Sequence, residues 1–341
     1  MPTELEEWNV TEASFPAKGT PAERLAFLVR CAILAPSEHN SQPWVFHITG
    51  ETLELIADRK RALPVVDPEH RELVISCGAA LYHLELAARR FGYRADVSIL
   101  PDLKRHPDLL ARLSLHLSSP ATEEELALFE AIPRRHTNRL AFEPKPVPAD
   151  LLASLGDAAR AHGAWLVPID HDHRVRAAEL VMEADRLQGS DMRFRRELAA
   201  WIHPNHTSSH DGVPGYGFGF STVASYLGPF VVRNFDWGDE QARHDDELAE
   251  AAPALVVLGT EKDEPRAWLN AGKALAHVLL AATTRGVSAS FLNQPIELAE
   301  LRPRLSALLE RAGLPQLMFR LGYGPSVQPT PRRGLEEVIR R

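Results

Sequence analysis

The sequence predicts an α+β chain in which helices cover a mostly antiparallel sheet and the same arrangement occurs twice. Three observations carry this. Strand and helix patterns alternate without the strict strand–helix–strand rhythm of a parallel sheet. The stretch 77–92, CGAALYHLELAARRFG, recurs at 271–286 as AGKALAHVLLAATTRG, without a gap and shifted by 194 residues. A break rich in proline (Pro120, Pro133, Pro144, Pro146, Pro148) separates the two at 119–145.

Taken in order, the first half reads as helix 21–35, a polar connector, a hairpin (WVFHIT, Gly-Glu, TLELIAD), helix 71–91, and strands 95–100 and 111–117. The second reads as helix 148–162, strand 164–169, helix 173–200, strand 254–259, helix 265–285, strand 287–292, helix 297–311 and strand 317–323. In the repeated helices Gly78 matches Gly272, His83 matches His277, and Gly92 matches Gly286. Each helix ends on that last glycine, the residue that most easily takes the left-handed C-terminal position. Two alanine-rich helices can also look alike by chance, but matched glycines and histidines argue for two halves, 1–125 and 126–341, forming a pseudo-dimer in one chain.

Composition narrows the function. The chain has 341 residues, 45% hydrophobic and 25% charged, as in an ordinary globular protein. Its net charge of −8 disfavours a general role on nucleic acid or anionic membranes. No apolar run approaches the ~18 residues of a membrane span. The acidic start, MPTELEEWNV, lacks the apolar segment of a secretory signal. Cys31 and Cys77 lie in apolar helix patterns and read as buried thiols in a reducing cytoplasm.

The densest polar chemistry lies at 35–44, Ala-Pro-Ser-Glu-His-Asn-Ser-Gln-Pro-Trp. Pro36 stops the preceding helix. Ser37, Glu38, His39, Asn40 and Gln42 then offer more hydrogen-bonding groups than a short connector requires, and the two amides suit a planar, heteroatom-rich ligand. A helix stop followed by an Asx turn uses the same residues. At 134–139, Arg135 and Arg139 flank Thr137, with His136 alongside: two guanidinium forks and a hydroxyl that suit a phosphate, or else a solvated basic loop. Pro295, Ile296 and Glu297 directly follow a strand and also fit an ordinary strand-to-helix turn. Arg332 and Arg333 follow Gly322-Tyr323 and also fit a basic tail.

Together these four segments resemble the nitroreductase-like flavoprotein family. Pro36, Ser37, Asn40, Gln42, Pro43 and Trp44 match its Pro-Ser-x-x-Asn-x-Gln-Pro-Trp signature completely. His39 and the chain length are more similar to the Acg-type FMN-binding branch. The resemblance implies one FMN, with the 36–42 loop against the isoalloxazine. Arg135, Thr137, Arg139, Arg332 and Arg333 would lie toward the phosphate. The turn Pro295-Ile296-Glu297 would lie beside N5, with backbone N–H groups poising it. It implies NAD(P)H-linked reduction of a small acceptor of the nitro or quinone class, with hydride chemistry on FMN N5 and no catalytic side chain. The family usually builds its site from two subunits; a fused chain could do so as a monomer. The same resemblance admits an FMN-binding or storage protein whose flavin is covered and does not turn over.

The stretch 201–237 alternates glycines with Tyr216, Phe218, Phe220, Tyr226 and Phe230, too irregular for a core helix and too aromatic for disorder. It reads as a lid whose Tyr216, Phe218 and Phe220 face the flavin, or as an arm wrapping the other half. His203, His206 and His210 lack helical ligand spacing and any nearby Cys or Glu, so no metal site is expected. Gly-x-Ser-x-Gly and Gly-x-Gly-x-x-Gly are both absent, which removes hydrolase and classical dinucleotide-fold readings. Since the 36–44 and 134–139 segments each occur once, denatured protein should release one FMN per chain; two would overturn the asymmetry.

Overall fold

The computed structural model describes residues 5–340. After α1 (Pro21–Ala32) comes the polar connector, the hairpin β1 (Trp44–Thr49) and β2 (Thr52–Ala57), α2 (Arg71–Arg90), β3 (Tyr93–Ile99) and β4 (Leu109–Leu117). Next are α3 (Glu123–Ala131), α4 (Ala149–Arg160), β5 (Ala164–Pro168), α5 (His171–Ser190) and α6 (Met192–Ala200). Short strands β6 (Ile202–His203) and β7 (Val213–Pro214) lead to α7 (Thr222–Asn234) and α8 (Gly238–Glu250). The chain closes with β8 (Ala254–Thr260), α9 (Pro265–Thr284), β9 (Ser288–Phe291), α10 (Gln294–Glu297), α11 (Arg302–Leu308), β10 (Leu314–Gly322), α12 (Leu335–Val338) and β11 (Ile339–Arg340).

Local chemistry sets several boundaries. Thr20 caps α1: its hydroxyl accepts from Glu23 N, and Glu23 Oε2 accepts from Thr20 N, with Pro21 in the first turn. The pair Thr122 and Glu125 does the same for α3. α3 was not expected. It spans residues 125 and 126, where the sequence suggested the division between halves, and lies inside the proline-rich break. The expected helix 173–200 is two helices, because Asp191 leaves helical geometry and caps α6. The expected helix 297–311 divides likewise, at 298–301.

Two mostly antiparallel sheets carry the fold, beside a two-stranded parallel ladder of β6 and β7. The first has the order β11-β1-β2-β4-β3 and the second β5-β8-β10-β9. Without β11, which pairs parallel to β1, the two orders correspond strand for strand along the chain. The sheets differ in cover. β3 alternates half-buried and exposed positions, as expected for one solvated face, whereas β8 is buried throughout. Val256, Leu258 and Phe319 pack toward α9 and α4, while Leu255, Val257 and Met318 pack toward α5 and α11. The α5 to α8 insertion therefore gives the second sheet an outer layer.

Between the sheets, α2 and α9 cross in intimate contact. A Cβ on Gly78 would strike the Leu269 carbonyl, and one on Gly272 would strike the Ile75 carbonyl. These partners keep the 194-residue shift of the sequence repeat: 75 with 269, and 78 with 272. Only glycine permits backbone to meet backbone here. Gly272→Ala should lower stability by about 1–3 kcal/mol, the usual penalty for overpacking, seen as a lower urea midpoint at unchanged slope. An unchanged midpoint would mean that the crossing tolerates a methyl.

Candidate functional site

The connector after α1 turns sharply. His39, Asn40 and Gln42 have φ of 48°, 54° and 50°, an uncommon region for residues with side chains. Such strain persists only where surroundings enforce it. Here Gln42 N donates to Ser37 Oγ. Asn40 Nδ2 donates to the carbonyls of Gly212 (2.9 Å) and Pro331 (3.0 Å), and its Oδ1 accepts from Arg332. Gln42 Nε2 donates to His210 O, and its Oε1 accepts from Arg333 N. The two amides, expected to offer free groups to a ligand, are buried and engaged within the protein. Turning the backbone sends them inward, where a buried amide needs partners. Arg333 is likewise spent on the carbonyls of Gln42, Trp44 and Glu337. Pro36 lies under the loop, buried.

Arg135 behaves differently. It is 5% exposed, yet its guanidinium makes one 3.5 Å contact, to Leu34 O, and its Nε has no partner. Among the described residues no carboxylate pairs with it. Arg332 lies near enough to repel it, stacks 4.7 Å over Trp8, and also leaves Nε unpartnered. Burial pushes the Arg135 pKa down to about 10; burial and then Arg135 push that of Arg332 well below its ordinary value. His136, edge-on to Trp8 at 4.6 Å, is driven down to about 3 by burial, Arg135 and Arg332. Thr137 bridges to Ala289 of β9, and Asn138 N donates to Ala289 O, so the sheet edge fixes this segment. A small cavity opens among Arg135, His136, Thr137, Thr283 and Phe291. Two adjacent buried cations without a counter-charge are costly unless an anion joins them.

Arg139 belongs to the other end of the site. It stacks on Phe218 at 5.1 Å, and Glu38 and Asp245 act on its charge. Here carboxylates gather. One oxygen from each of Glu38, Glu72 and Glu297 lies within 4.8 Å of the others. His39 Nδ1 meets Glu38 Oε1 at 2.7 Å, Arg71 meets Glu72 at 2.5 Å, and Gln188 Nε2 donates to Glu297 at 2.6 Å. Burial opposes charge on Glu38 and His39, but each holds the other ionised: the Glu38 pKa falls and that of His39 rises. Burial and then Glu38 lift Glu297 to about 7, and burial lifts Glu72 well above the carboxylate range.

Pro295 and Ile296 are buried at the foot of this cluster. The N–H groups of Ile296 and Glu297 donate to Asn293 O, so the backbone donors expected to face a ligand close a helical turn instead. Gln294 reaches Asp185 and Asp245 at once, and burial and then Asp245 raise Asp185 to about 8.

The stretch 201–237 contains α7, a 13-residue helix that sequence reasoning missed. It is not a core helix: Val223, Tyr226, Leu227 and Phe230 are exposed. The preceding part is tied down. Tyr216 Oη donates to Pro329 O, Asp211 pairs with Arg61, His210 meets Glu337, and Gly212 bonds the loop. Phe218 and Phe220 stack at 5.8 Å. His203 faces Asp211. Arg71, Glu72, Asp185, Gln188 and Asp245 were also missed: acids and amides on helices look like solvated faces until tertiary packing buries them.

The nitroreductase family model matches residues 132–323. A Mycobacterium tuberculosis protein named as an NAD(P)H nitroreductase, Rv3131, is 34% identical over 324 residues, covering 93% of this chain and 91% of its own. The NAD(P)H nitroreductase acg of the same organism is 29% identical over 329 residues, covering 91% and 93%. Among solved structures, the FMN-dependent nitroreductase NfnB of Mycobacterium smegmatis, in complex with NADPH, is 18% identical, covers 63% of this chain and 98% of its own, and superposes with a TM-score of 0.41. The chain belongs to the nitroreductase family.

Proposed function

We propose that this chain is an FMN-dependent oxidoreductase that reduces a small acceptor, of the nitro or quinone class, with NAD(P)H. The observation that carries this reading is the pair of buried, uncompensated guanidiniums, Arg135 and Arg332. A phosphate would supply their missing charge and occupy the donors of Arg135, while Arg332, whose Nη1 already bonds Asn40, Thr330 and Pro331, would add its charge and Nε, and Thr137 adds a hydroxyl beside them. In this reading Arg139, His39 and Glu38 line the ring end with Phe218, and the turn Pro295-Ile296-Glu297 closes it. Bound FMN would supply the hydride and electron-transfer chemistry; the protein's part is to bind, orient and exclude water. The relatives' names support the nucleotide, NAD(P)H. Two halves with corresponding sheets support a fused dimer that completes one site from both.

A second reading has its own observation. The 210–216 stretch is bonded to the 36–42 loop, to Pro329 and to Glu337, which suits a fixed cover over the flavin and hence a binding or storage protein. Anaerobic mixing of the FMN-loaded protein with saturating NADH or NADPH separates the two. Fast bleaching of the flavin band establishes the reductase; none over minutes establishes the cover, and Tyr216→Phe should then restore some reduction.

The phosphate assignment has its own check. Arg135→Ala and Arg332→Ala should each weaken FMN by about 1.5–3 kcal/mol, the worth of a charge-assisted hydrogen bond, while riboflavin, which lacks the phosphate, changes little. Equal losses for both ligands would place these arginines elsewhere.

A further inference from the structure

We propose that Glu38, Glu72 and Glu297 form a buried proton store that is loaded from an outer cleft through Glu297 and delivers one proton per turnover toward the ring end of the site through Glu38 and His39. This rests on the reductase reading for its purpose, though not for its existence.

The geometry gives a continuous route. Three elements bring the carboxylates together: the strained connector, the first turn of α2, and α10. On one side Glu297 lines a cleft of about 760 Å³ with Asp67, Arg71, Arg302 and Arg311. On the other, Glu38 and His39 are partly exposed, and His39 Nε2 has no partner. Glu72, 3% exposed, completes the triad with its carboxyl against that of Glu38.

Charge counting then requires a proton. The facing groups are Arg71 and Asp67 beside α2, His39 on the connector and Arg139 after α3, with Asp185 of α5 and Asp245 of α8 behind Gln294. His39 pairs with Glu38, Arg71 lies against Glu72 without offsetting the burial that favours its protonated form, and Arg139 is shared between Glu38 and Asp245. Among the described residues, the hydrogen-bond donor to the Glu297 carboxyl is the neutral Gln188. A carboxylate buried beside two others without a cation of its own holds a proton rather than a charge. Its elevated pKa, about 7, means that the proton is present below neutrality and lost above it.

The reaction needs such a proton. For a nitro acceptor, R–NO₂ + NAD(P)H + H⁺ gives R–NO + NAD(P)⁺ + H₂O: the hydride brings two electrons and one proton, one N–O bond breaks, and a second proton completes the water. For a quinone, Q + NAD(P)H + H⁺ gives QH₂ + NAD(P)⁺. Each turnover consumes one proton beyond the hydride, which a protonated carboxyl beside the ring end can supply.

The first test is infrared difference spectroscopy on the flavin-free protein between pH 6 and pH 8. The part of the protonated-carboxyl C=O band, shifted in D₂O, that disappears as pH rises through about 7 should be missing from Glu297→Gln, while Glu72→Gln should remove the part that persists, with far-ultraviolet circular dichroism confirming the fold. No titrating band in wild type overturns the store, whether or not the flavin reading holds. A stoichiometric divalent cation found by metal analysis of the same protein also overturns it, because the metal would then neutralise the cluster. In the loaded protein, acceptor reduction should fall as pH rises through about 7, with a solvent isotope effect that Glu297→Gln abolishes along with the pH dependence. A pH profile unchanged in Glu297→Gln overturns the delivery role even if the band is found.

Discussion

The contact of Gly78 with Gly272 governs how the two halves meet. With no side chain at either position, α2 and α9 approach until backbone meets backbone. That distance places the first turn of α2 beside the second half, so Arg71 reaches Gln316 on β10 and Glu72 reaches Glu297 on α10. Farther along the helices it brings Lys273 to Glu85 at 2.9 Å. None of these pairings is local in sequence. A backbone contact is a stiff spacer, since it cannot yield through a rotamer change. The approach of α2 to the α10 region is therefore set by two glycines.

Along that site charge is distributed unevenly. One end concentrates buried guanidiniums, the other buried carboxylates with fewer cations than they need. Each arrangement is unfavourable alone, because burial removes the water that would screen like charges. Such costs concentrate where function requires them. In the proposed reading an anion from outside would complete the cation end, and protons the acid end. His83, fully buried between these regions with Nδ1 against Cys31 O, is held neutral by burial and by Arg135, and adds nothing to the positive charge.

The sequence revealed the parts of this structure that depend on local pattern. The two central helices, most strands and the hairpin follow from periodicity and turn chemistry. α7 was concealed because Gly228 and Pro229 interrupt a pattern whose apolar face then points to solvent, so no burial signal accompanied it. β11 contributes two residues, too few to show alternation, and its pairing with β1 depends on the whole tail returning to the first half. In the site, Arg135 and Glu297 stood out through motif. Glu72 and Asp185 did not, because an acidic residue in a helical pattern looks the same whether its face is solvated or buried. The roles of Asn40 and Gln42 turned on backbone conformation: their polarity was legible, but the positive φ that directs the amides inward was not.

The connector itself joins these features. Three residues with positive φ are costly, on the order of 1–3 kcal/mol each, and besides bonds within the loop such as Gln42 N to Ser37 Oγ, they are held by partners from outside it. His210 and Gly212 supply carbonyls from the insertion, while Pro331, Arg332 and Arg333 bind from the tail. Glu38 and His39 lie within this connector, so the acid cluster keeps its geometry only while insertion and tail remain docked. Arg332 adds a further link, because the guanidinium that bonds Asn40 is also one of the two uncompensated cations. An anion drawn to Arg135 and Arg332 would therefore tighten the tail, the tail would brace the loop, and the loop would hold Glu38 beside Glu72. In that reading the connector links the cation end to the acid end, since Arg332 bonds Asn40 two residues from Glu38.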